Sequence, residues 1–97
     1  CPMGSLASEI AGRSETEREI LERGFSVWQH WFRLGLERMQ DSGELRPDAD
    51  PEELAVGLMA AVQGGYLLVK TTRDERSMAI ALDMALDSIR VALSAAE

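Results

Sequence analysis

Side chains able to do chemistry are few and scattered in this chain of 97 residues. His30 is the single histidine, and no Cys, second His or carboxylate pair stands at ligand spacing on its helix face. A zinc-ligand or general-base role therefore lacks partners, and His30 reads as a surface residue. The acid pairs Glu15 with Glu17 and Glu52 with Glu53 fall in first helical turns, where negative charge complements the helix dipole. Gly64-Gly65 lies inside a helical run rather than between a strand and a helix, so it makes no phosphate cradle. No Ser/His/Asp arrangement exists to defend. The expectation is a protein that is not an enzyme and needs no metal or cofactor.

Binding chemistry remains. Four of the five aromatic residues, Phe25, Trp28, Trp31 and Phe32, share one face of one helix with Met39. Adjacent segments add Met3, Met59, Gln63 and Tyr66, a mixture of soft sulfur, rings and few polar groups that suits an apolar ligand cavity. An ordinary solid core has the same composition, and composition does not choose between them.

The elements that carry these residues are helices, and their ends are written in the sequence. A first, short helix spans about Met3 to Ala11 and stops at Gly12. Ser14 followed by Glu17 has capping-box spacing and opens a helix running to about Gln40, closed by Asp41-Ser42-Gly43. Gly43 to Asp50 is a loop, and Asp50 with Pro51 and Glu53 starts the next helix. Thr71 to Asp74 breaks it, and a last helix runs from near Asp74 or Glu75 to near Ala95. No stretch alternates with period two. The predicted fold class is all-α: an antiparallel bundle of one short and three long helices.

The second helix carries an apolar stripe of Ile20, Leu21, Gly24, Phe25, Trp28, Trp31, Phe32, Gly35, Leu36 and Met39, opposite a solvated face that includes Gln29, His30, Arg33, Glu37 and Gln40. In the run from Gly57 to Val69 only Gln63 is polar. Glycine inside a helix costs roughly 1 kcal/mol relative to alanine, so Gly57, Gly64 and Gly65 need close approach of another backbone to recover it. Gly57, Ala61, Gly64 and Leu68 share one narrow face. In the last helix Ile80, Met84 and Val91 stand apart from the wider apolar face of Met78, Ala81, Leu82, Ala85, Leu86, Ile89, Ala92 and Leu93. These spare faces predict a homodimer in which the last two helices of each subunit form a four-helix interface.

A net charge of -7 and a pI near 4.6 oppose direct contact with DNA or an anionic membrane. Lys70, Gln63 and Glu53 bound the most apolar run, which is expected to fall short of the roughly 18 residues that cross a bilayer. The lone Cys1 can form no internal disulfide, which fits a reducing cytoplasm.

The runs Cys1-Pro2-Met3-Gly4-Ser5-Leu6-Ala7-Ser8-Glu9, Gly43-Glu44-Leu45-Arg46-Pro47-Asp48-Ala49-Asp50-Pro51-Glu52-Glu53-Leu54-Ala55 and Gln63-Gly64-Gly65-Tyr66-Leu67-Leu68 closely resemble the C-terminal domain of TetR-type transcriptional repressors. The likeness is greatest to the branch with LmrA- and YxaF-like regulators and spans essentially the whole chain, 1–97. It implies an effector-binding and dimerisation domain, cytoplasmic, sensing a small hydrophobic or aromatic ligand that releases the parent protein from DNA. DNA would be read only by an N-terminal helix-turn-helix domain absent from this chain. The alternative is a purely structural dimerisation module with a solid core and no ligand. Expected pocket residues are Trp28, Trp31, Phe32, Met59, Gln63 and Tyr66, with Gln63 orienting the ligand. On a helical wheel Gln63 lies across from Leu54 and nearest Met59 and Lys70, a position that also suits solvent or the dimer seam. Expected interface residues are Gly57, Ala61, Gly64, Leu68, Ile80, Met84 and Val91.

Overall fold

The computed structural model describes residues 2–10 and 14–94. Among them lie four helices, α1 (Pro2–Ile10), α2 (Glu15–Asp41), α3 (Pro51–Thr72) and α4 (Arg76–Val91), and no strand. The all-α expectation holds. Cys1, the expected helix stop at Gly12 and residue Ala95 lie outside the described residues.

Local chemistry places most of the boundaries. The Ser14 hydroxyl accepts from the Glu17 N–H at 3.0 Å, and the Asp50 carboxylate accepts from Glu52 and Glu53 N–H groups ahead of Pro51. Each cap satisfies donors that a helix start leaves without a partner. At the end of α2, Gly43 adopts φ +86°, a left-handed conformation that glycine takes without strain, and the chain turns so that Glu44 and Leu45 both donate to the Met39 carbonyl. Arg73 closes α3 in the same region of backbone space, φ 61°.

The loop between α2 and α3 forms part of the core. Leu45 and Ala55 are completely buried and pack with Leu36, surrounded by Phe32, Met39, Leu54, Ile89 and Ala92. Gln40, expected on a solvated face, instead donates to the carbonyls of Arg46 and Ala49 at 2.9 Å and pins the loop. Across the loop, Leu45 pairs with Leu93 in an isolated antiparallel bridge. Arg46 N–H donates to the Ala92 carbonyl at 2.9 Å and Ser94 N–H to the Glu44 carbonyl at 2.8 Å. This pairing corrects the expected end of the last helix: backbone groups that would continue α4 toward Ala95 bond to the loop, so the helix stops at Val91.

A short turn folds α4 back along α3, the most extensive helix pairing, while α2 packs on the other helices through α3 and α1 lies lightly on α2 and α3. The principal extents are 51 × 32 × 15 Å. The thin dimension leaves room for no more than two layers of helices packed about 8–10 Å apart. The radius of gyration of 15.3 Å exceeds the value of about 13 Å usual for a compact domain of this size. Such a slab cannot cover its own apolar residues. The expectation of no membrane-length apolar run is also corrected, because α3 by length and composition is sufficient to cross a membrane. Gln63 does not interrupt it, and only 17% of its most apolar window is buried within the chain.

Candidate functional site

The side of α3 turned away from α4 is built from residues three and four apart. Val56, Met59, Ala60, Gln63, Gly64 and Leu67 recur at helical spacing and line one wall of a cavity of about 410 Å³. Phe25 and Gln29, one turn apart on α2, form the facing wall, and Gly4 of α1 and Tyr66 complete it. The volume lies in the range of about 300–1,000 Å³ that small-molecule sites occupy.

The electrostatics of this cavity are plain. Among the described residues no carboxylate, ammonium, guanidinium or imidazole lines it, and their polar side chains there are the neutral amides of Gln29 and Gln63 and the phenol of Tyr66. Both amide atoms of Gln63, Oε1 and Nε2, are closed to water and have no hydrogen-bond partner. A buried amide in that state costs about 1–3 kcal/mol.

The titration shifts lie elsewhere, at helix starts. A hydrogen bond from the Arg18 guanidinium, helped by its charge, holds Glu15 below the usual carboxylate range, and hydrogen bonds from the Arg76 guanidinium and backbone N–H do so for Asp74. Both carboxylates lie at the surface and serve the helix ends.

Met59, Gln63 and Tyr66 are therefore brought to one cavity, whereas the three aromatic residues expected with them are not. Phe32 packs against the Leu36, Leu45 and Ala55 core, and the Trp28 ring lies 6.3 Å from it. Trp31 is 63% exposed, its ring 5.8 Å from His30. His30 in turn receives a hydrogen bond at Nδ1 from Arg33 Nη2 at 3.0 Å, a surface arrangement. Phe25 lies on the expected apolar stripe but outside the expected pocket set, and Gln29, expected on the solvated face, lines the cavity instead. Their i, i+4 spacing was the available signal: a wheel centred between them points to the cavity wall.

Beside this wall α3 meets α4 along a second, open groove of about 640 Å³, and Val56 lines both. Gly57 and Ala61 from α3 and Met84 from α4 come together there. Leu68, Ile80 and Val91 are exposed apolar residues, Val91 to 76% and Met84 to 68%. Gly64 is not in this groove; it fronts the 410 Å³ cavity, and a Cβ added there would meet nothing within 4 Å. On α3 the glycine of close approach is Gly65, where an added Cβ would lie 2.8 Å from Met78 Sδ and 3.1 Å from Met78 Cα.

Comparison with known proteins follows the same lines. The family described as "Tetracyclin repressor-like, C-terminal domain" matches residues 1–85. Among curated proteins the chain is similar to the HTH-type transcriptional repressor DhaR of Mycobacterium sp. (strain GP1), with 31% identity over 78 residues. That alignment covers 80% of this chain and 39% of the repressor, so the chain spans well under half the length of its relative. No solved structure gives a significant match.

Proposed function

This chain belongs to the tetracycline repressor-like C-terminal domain family, and from that premise we propose that residues 1–97 form the effector-binding and dimerisation domain of a TetR-type transcriptional repressor. Regulators of this family bind DNA and act as dimers. The reading rests chiefly on the 410 Å³ cavity between α2 and α3, whose lining among the described residues is apolar apart from three neutral polar side chains. A small hydrophobic or aromatic effector fits such a lining, and a solid-core dimerisation module would not keep it open. The protein works by binding rather than catalysis, within the cytoplasm. The Gly43 to Ala55 and Gln63 to Leu68 runs support placing it in the LmrA- and YxaF-like branch.

The exposed groove of α3 and α4 supports the second half of the reading. Gly57, Ala61 and Met84 in the groove and Leu68, Ile80 and Val91 on the apolar surface are the residues a second copy would cover. That cover also suits the uncovered length of α3 better than a membrane does, since the chain carries a net charge of -7. DNA contact in the parent protein belongs to a helix-turn-helix domain outside these residues. Effector in the cavity shifts the dimer toward the state that leaves DNA. Native mass spectrometry of the chain tests both halves together. A dimer carrying retained small-molecule mass is the expected result, and a monomer at micromolar concentration would overturn the interface.

A further inference from the structure

Resting on the reading of the α2–α3 cavity as an effector site, we propose that its ligand is a neutral molecule presenting a hydrogen-bond donor and acceptor side by side on an apolar body, as a carboxamide or lactam does, held by the amide of Gln63. Two observations carry this. First, Oε1 and Nε2 of Gln63 are both without partners and both closed to water, at a residue that lines the cavity. A primary amide offers one acceptor and two donors in a plane, so its complement is a planar group with one of each. The terminal torsion of glutamine has a broad minimum, so the amide can turn to meet a ligand at little cost. Second, among the described residues no ionised side chain lines the cavity. A carboxylate or ammonium ligand would be desolvated there with no opposite charge to offset it. A fully apolar ligand would leave the Gln63 amide as unsatisfied as it is in the empty chain.

Four ring compounds of similar shape separate these possibilities: benzamide, cumene, benzoate and benzylamine, titrated into the 97-residue chain and followed by NMR shifts of cavity residues and of the Gln63 side-chain amide. Benzamide is expected to bind about tenfold more tightly than cumene, the gain of a hydrogen-bonded pair at an amide closed to water, and to move the Gln63 amide signal. In Gln63→Leu that preference disappears. The same variant without ligand is expected to melt about 4 °C or more higher, because it removes an unpaired buried amide at nearly constant volume. Gln63→Met serves the same comparison should the leucine variant fold poorly. Equal binding of cumene and benzamide, or tightest binding of benzoate or benzylamine, would overturn the ligand class while leaving the effector reading intact. A lower melting point in both variants would show that the amide has a structural partner, which also overturns it. Failure of all four compounds to shift any cavity residue would overturn the effector reading itself, and this proposal with it.

Discussion

At its N-terminal end α3 presses Ala55 against Leu36 and Leu45 with no surface left exposed on Ala55 or Leu45, whereas about two turns later Gln63 and Gly64 front a cavity of about 410 Å³. Both stretches belong to one continuous apolar helix. The packed end is closed by a loop that Gln40 and the Leu45–Leu93 bridge hold in place. The open end is walled by α1, which packs only lightly, and it keeps an amide unpaired. Stability and adaptability are thus divided around one helix: the face carrying Ala55 anchors the fold, and the face from Val56 to Leu67 that lines the cavity has contacts still to make.

Three substitutions sharpen or break this contrast. Leu45→Ala carries the largest expected effect, a loss of about 2–5 kcal/mol in urea unfolding, because a fully buried leucine leaves a cavity that its anchored neighbours cannot fill. If it melted like the unmodified chain, the packed end would not be packed. Gly65→Ala comes next. Its Cβ would press on Met78 Cα, and overpacking of about 1–3 kcal/mol outweighs the gain of about 1 kcal/mol from removing a helical glycine. A lower melting temperature is expected. Gly64→Ala, one residue earlier, has open space around its new Cβ and should gain about 0.5–1 kcal/mol while narrowing the cavity. Identical changes at neighbouring glycines therefore carry opposite signs. Equal signs would mean that the closed and open sides of α3 are not as different as they look.

The residues that announced the fold acted locally. Ser14, the Asp50-Pro51 pair and Gly43 each satisfy or redirect backbone groups within a few residues, so helix starts and the end of α2 were legible without any tertiary contact. The end of α4 was not, because Ala92 and Ser94 bond to a loop some forty-five residues away. The site was half legible for the same reason. Met59, Gln63 and Tyr66 follow from the composition of one helix, but the facing wall depended on how α2 is rotated about its axis. That rotation turns Phe25 and Gln29 toward α3 and leaves Trp31 in solvent.

Sequence alone determined that the chain is helical, where most helices begin, and that α3 and α4 carry apolar residues on more than one face. Those properties depend on side-chain type and spacing along the chain. Only the tertiary structure decided which glycine admits a neighbouring helix, that Gln40 holds a loop, and that Gln63 is shut away without a partner. Each of these depends on atoms brought together from distant parts of the chain, and spacing within one helix carries no information about what will stand opposite it.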